Sequence, residues 1–220
     1  MAYTSDILRD VKVIIGENEN IQPLIDEGDD MALERDTLLK TLIASAIDKV
    51  HRLATANMMR DMTEEAANLD WRYDDKYCQW CELDDDILYI SYVWVDGWDR
   101  PVTTFINDFT QEYDMCRAAQ AGVRPTETYP ACAILPHKGG GMKLEAYPKE
   151  MDAETVVRYI PKAKESTDEQ GRGQYAIGSD CYWAVIYTIA SLYYLSTDNS
   201  QRAKDMAAEA ADRLTTTNHN

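Results

Sequence analysis

Hydrophobic positions open the chain at helical spacing. In "YTSDILRDVKVIIG", Ile7, Leu8, Val11, Ile14 and Ile15 fall on one face, with Ser5 as an expected N-cap and Gly16 as a stop. An acidic stretch follows from about 17 to 31, and then "MALERDTLLKTLIASAIDKVHRLATANMM". Leu38, Leu39, Leu42, Ile43, Ala46, Ile47, Val50 and Ala54 make a long apolar stripe, and Asp36, Lys40, Asp48, Lys49 and Arg52 lie off it. No Gly or Pro falls between Asp29 and Asp96, so this helix is predicted to continue past His51.

Near Leu69 the period changes. "DDDILYISYVWVDGWDRPVTTFINDF" is rich in β-branched and aromatic residues, with turn chemistry at Asp96-Gly97 and Arg100-Pro101. It reads as a strand, a turn and a second strand or extended arm. "ACAILP", "GMKLEAYP" and "ETVVRYIP" read as short strands ending at proline, and "HKGGG" as a hairpin tip between the first two. Helical spacing then returns. "YWAVIYTIASLYYLSTDN", residues 182 to 199, is apolar nearly all the way round, which marks a buried helix. Ser179 or Asp180 is its expected cap, and Asp198 that of the last helix, "SQRAKDMAAEAADRL".

These elements predict an α+β, mainly helical chain. Two N-terminal helices (residues 1–70) and two C-terminal helices (163–214) form a bundle, residues 71–162 are a β-rich insertion, and 215–220 are a polar tail.

Composition narrows the function. Of 220 residues, 39 are Asp or Glu and 22 are Lys or Arg, a formal net charge of −17. Such a field repels nucleic acid and anionic lipid. No signal peptide is expected at the start, and the run from Trp183 to Leu195 is too short to span a bilayer. Five cysteines, an odd number, fit a reducing cytoplasm where the chain is made.

Motifs for catalysis are weak. Cys78 and Cys81 form a single CxxC in "KYCQWCEL" without a second pair, so core or strand cysteines are expected, with no metal and no cofactor. "HKGGGMK" lacks phosphate-loop spacing, and the three histidines are scattered. No catalytic residue is nominated. Aromatic residues point instead to a protein interface: Trp94 and Trp98 flank the Asp96-Gly97 turn, where at least one is expected to be exposed, and Tyr187, Tyr193 and Tyr194 on the apolar helix suit a contact zone.

The order of elements resembles the head–tail connector (adaptor) proteins of tailed bacteriophages. "DILRDVKVIIG" with the long helix, "WDRPVTTFINDFTQEY", and above all the run from "KLEAYPKEMDAETVVRYIPKA" to "DMAAEAADRL" carry the likeness. A similar layout occurs in the virion ring and neck components of crAss-like phages. The resemblance implies a homo-oligomeric ring, typically of about twelve copies. It would sit at the head–tail junction of the virion, beneath the portal and against tail or neck proteins. DNA would pass through without specific binding during ejection, and no membrane would be involved. The rival readings are a soluble acidic interaction protein, such as a DNA mimic or an inhibitor, and a CxxC metal or redox enzyme.

Overall fold

The structure is a computed structural model that describes residues 1–16, 29–55, 57–67, 69–73, 77–137 and 141–216. In chain order its elements are β1 (Ala2–Tyr3), α1 (Thr4–Ile14), α2 (Asp29–Leu53), β2 (Glu64–Glu65), β3 (Arg72–Tyr73), β4 (Gln79–Leu83), β5 (Ile87–Val95) and β6 (Phe105–Asn107). Then come α3 (Gln111–Cys116), β7 (Ala131–Pro136), β8 (Met142–Tyr147), β9 (Thr155–Pro161), β10 (Ser166–Thr167), β11 (Gly173–Tyr175), α4 (Tyr182–Ser196) and α5 (Ser200–Thr216). Single 3-10 turns lie at Arg60–Met62 and Ala121–Val123.

The expectation of a mainly helical chain is corrected. The fold is 39% helix and 25% strand, with three sheets. The excess strand comes mostly from two- and three-residue segments, which are too short to show an alternation. The chain divides into two compact units, residues 1–62 with 162–220, and residues 63–161.

The first unit is built around α4, which packs on α5, α2 and α1. Ala184, Val185, Ile186, Ile189 and Ala190 are fully buried there. Its polar residues are satisfied: Thr188 Oγ1 donates to the Ala184 carbonyl at 2.7 Å, and Ser191 Oγ to the Ala203 carbonyl of α5 at 2.8 Å. Ala203, Ala210 and Leu214 turn α5's small-residue side inward. From α2, Leu39, Ile43, Ala46, Ile47 and Val50 are buried, the centre of the expected stripe. Two polar ties add to this core: Lys12 Nζ lies 2.8 Å from Asp36, joining α1 to α2, and Tyr182 Oη donates to Asp10 at 2.7 Å, joining α4 to α1. A small antiparallel sheet, β1-β11-β10, completes the unit.

Several boundaries differ from expectation. α1 starts at Thr4 with Tyr3 as its cap, so Ser5 lies inside the first turn. Gly16 does terminate it, with φ +86° just past the last turn. α2 stops at Leu53 because Met58 and Met59 fold back into the core, both almost fully buried. Cys181, not Ser179 or Asp180, precedes α4. Asp198 takes a left-handed turn, and Asn199 Oδ1 caps α5 by accepting from the Arg202 N–H. The hairpin tip at 138–140, most of the acidic stretch and the tail from 217 lie outside the described residues.

The second unit holds two sheets. One is β2-β9-β5, all antiparallel, and the other is β3-β4-β8-β7-β6, antiparallel except for β6 beside β7. A single core joins them: Ile90, Val93, Val95 and Val157 from the first, and Cys81, Cys132, Leu144 and Ala146 from the second. Alternation along β8 sends Leu144 and Ala146 into that core. It sends Lys143, Glu145 and Tyr147 to the opposite face of the larger sheet.

Candidate functional site

That opposite face holds the most chemically loaded cluster in the second unit. Glu145, in the middle of β8, is only 1% exposed. Three donors converge on its carboxylate: Lys143 Nζ at 2.5 Å, Tyr147 Oη at 2.5 Å and Tyr113 Oη at 3.2 Å. Tyr113 arrives on α3, which Thr110 caps by accepting from the Tyr113 N–H. One turn later Arg117 donates to Tyr113 Oη at 3.2 Å and stands 3.6 Å from Glu145. A buried carboxylate is tolerable only when it is paired and hydrogen-bonded in this way. Burial and the Glu145 charge both push the Tyr147 and Tyr113 hydroxyls upward, so they remain protonated donors. The cluster is a locked network with no loose acid or base in it.

Next to it lies a pocket of about 290 Å³, lined by Tyr77, Cys116, Ala121, Arg124, Pro125, Tyr147, Pro148 and Lys149. The Arg124 guanidinium lies 4.1 Å from the Tyr77 ring centre, and the Lys149 N–H donates to the Tyr77 carbonyl. Among the described residues the lining has two cations and no carboxylate, which contrasts with a chain of formal charge −17. Cys116 forms part of the wall; burial, then the Glu145 charge, raises its thiol to about 11, so it is no thiolate nucleophile.

No family model matches this chain, and no curated protein matches it. The site is therefore read from its own chemistry.

Of the aromatic residues proposed from the sequence, Trp98 and Tyr194 are buried and Trp94, Tyr187 and Tyr193 are half-buried. Trp98 is 4% exposed, and its Nε1 donates to the Pro148 carbonyl at 3.3 Å. Trp94 is half-buried, with Nε1 donating to the Trp98 carbonyl at 3.3 Å. In the other unit Tyr194 is buried: its hydroxyl donates to the Ile15 carbonyl at 3.3 Å and accepts from Arg202 at 3.2 Å. Tyr187 is half-buried with Arg213 over its ring at 5.6 Å, and half-buried Tyr193 meets Tyr194 edge to face. On α4 the exposed large side chains are Trp183 and Leu195, at 49% and 54%.

The CxxC is split. Cys78 packs with Cys116 and Tyr147, whereas Cys81 enters the core between the sheets, so the two thiols belong to different faces. Burial, first among the causes, lifts Cys81 to about 12. Among the described residues no group of three or more His, Cys, Asp or Glu could hold a metal ion.

Sequence reasoning missed two residues. Glu145 belongs to no motif that sets it apart from the chain's other acids, although Lys143 and Tyr147 share its face of the strand and mark it as partnered. His51, expected as a partly buried helix residue, is 1% exposed at the end of α2. Its Nε2 accepts from the Gly178 N–H at 3.4 Å, and burial lowers its pKa to about 4.

Proposed function

We propose that this chain is a subunit of the head–tail connector of a tailed bacteriophage. It would form a closed ring between the portal protein and the tail or neck, extending the DNA channel. The observation that carries the reading is the insertion of a compact β unit, residues 63–161, into a helical unit assembled from both ends of the chain. Helices α1 and α2 pack on α4 across that insertion, and α5 packs on α4 in turn, in the order the resemblance implies.

The charge supports the same reading. A ring of about twelve copies gathers roughly −200 formal charges. Acidic walls repel the DNA backbone, whereas each basic contact to a phosphate would add affinity and friction. No described helix is long and apolar enough to cross a membrane.

Electron microscopy of the purified chain with portal protein tests the proposal. The expected image is a closed ring coaxial with the portal, its inward surface richer in Asp and Glu than its outward one. A monomer that instead saturates a basic partner one to one, with salt-sensitive affinity, would replace the connector with an acidic mimic.

A further inference from the structure

Phe109 is the most exposed large apolar residue described, at 96%. It stands in the turn between β6 and α3 at φ +59°, a left-handed conformation that bulky side chains avoid. The turn around it is fastened. Thr110 Oγ1 donates to the Asn107 carbonyl at 2.9 Å and accepts from Tyr113, and the Phe109 N–H donates to Asp108 at 2.9 Å. A turn whose backbone is already fixed has less freedom left to lose when its side chain is buried, which is the property of a preorganised anchor.

At the other end of α3, Cys116 opens onto the 290 Å³ pocket. A dry cavity of roughly 150 Å³ can hold benzene, so a phenyl ring fits. Tyr77, Tyr147, Pro125 and Pro148 give apolar walls, and Arg124 and Lys149 give positive charge. The knob carries the opposite charge. Asp108, Glu112 and Asp114 flank Phe109, and no cation falls between Asn107 and Met115. Met115 and Val123, both exposed, continue the apolar surface along the same stretch.

We propose that Phe109 of one copy seats in the Tyr77–Arg124–Tyr147–Lys149 pocket of a second copy. The aromatic ring fills the apolar part, and the acidic flank meets the two cations. Knob and pocket are different residues, so one copy can give its knob to one neighbour and its pocket to another, the head-to-tail contact that a closed ring requires; a two-fold pair exchanging both knobs would end at a dimer. The head-to-tail case deepens the connector reading, on which it rests.

The test uses intact chains followed by analytical ultracentrifugation over rising concentration. Self-association of the unaltered chain is expected. It should be lost with Phe109→Ala and weakened about tenfold or more with Arg124→Glu or Lys149→Glu. Mixing the Phe109→Ala chain with the Arg124→Glu chain should restore a one-to-one pair, because the first keeps the pocket and the second keeps the knob. Absence of self-association by the unaltered chain, or association unchanged in the Phe109→Ala chain or in both charge-reversed chains with unchanged circular dichroism, overturns the proposal. Normal rings from a Phe109→Ala chain overturn it while leaving the connector standing. Knob-dependent association of a chain that never closes into rings removes the connector and leaves the knob.

Discussion

Lowering the pH should loosen the helical unit through one residue, His51. Its imidazole lies 1% exposed, with Nε2 accepting from the Gly178 N–H and Nδ1 unpartnered among the described residues. Gly178 is fixed there, because a Cβ would come within 2.6 Å of the Met58 carbonyl. A proton on Nε2 would break the bond to Gly178 and place a cation in the core. Burial therefore dominates and lowers the pKa from 6.5 to about 4, against the weaker opposing pull of Asp48 and Asp61. A depressed folded pKa means that the unfolded chain binds the proton first. The stabilisation is complete above about pH 7 and is lost as pH falls from 6.5 towards 4. The full difference amounts to about 3 kcal/mol, of which about 2 kcal/mol is gone by about pH 5.

Comparison with a His51→Gln chain cancels the titration of the other two histidines and of the carboxylates. Denaturant unfolding followed by helical circular dichroism at about pH 8 and pH 5 should show that loss. His51→Gln, whose side-chain oxygen can still accept from Gly178, should start lower but lose about 2 kcal/mol less over the same interval. Titration of the His51 ring protons by NMR should give a midpoint near 4. A midpoint near 6.5, or an unchanged pH slope in the variant, would refute the reasoning.

Two further outcomes follow from the packing of each unit. Glu145→Ala strands Lys143 beside two tyrosine hydroxyls and should cost about 3–5 kcal/mol, whereas Tyr147→Phe should cost about 1.5–3 kcal/mol; chemical denaturation measures both. Ile186→Asp puts an unpaired carboxylate into a fully buried position of α4 and should remove at least about 4 kcal/mol or soluble expression altogether. Glu209→Ala on the exposed side of α5 should stay within about 0.5 kcal/mol, and a stable Ile186→Asp chain would contradict the burial of α4.

Helices α1, α2, α4 and α5 were legible because each carries enough turns to be read as a helix. Leu39, Ile43, Ala46, Ile47 and Val50 define a face in sequence, and that face is buried. β1 could not be read in this way. Ala2 and Tyr3 are a strand only because Tyr175 and Gln174 pair with them from far along the chain. α3 has six residues, less than two turns, and its cap at Thr110 is its main local signal. The burial of Trp98 was hidden from the sequence for a related reason. A tryptophan beside Asp96-Gly97 reads as exposed turn, but the Pro148 carbonyl gives the Trp98 indole a buried partner fifty residues away. Phe109 is the reverse case, since an isolated phenylalanine between Asp108 and Thr110 gives no period and no clue to its outward setting.

The net charge understates how negative the chain is to an approaching phosphate. Many of its arginines are already engaged with rings. Arg124 lies over Tyr77 at 4.1 Å, Arg172 over Tyr3 at 4.4 Å, Arg72 over Trp80 at 5.0 Å and Arg202 over Tyr194 at 5.5 Å. Arg72 also bonds Asp70 and Glu82, and Arg172 bonds Asp168. A guanidinium held in this way keeps its charge, but its flat face is covered and its donors are directed at carboxylates. A DNA phosphate would have to displace those partners before gaining a contact, against a repulsive field that persists to roughly 10 Å at moderate salt. The chain therefore repels the duplex at range, and these arginines offer few loose donors at contact. Under the connector reading that combination is what lets DNA slide, and it does not depend on any single acidic patch. It depends on the cations being occupied.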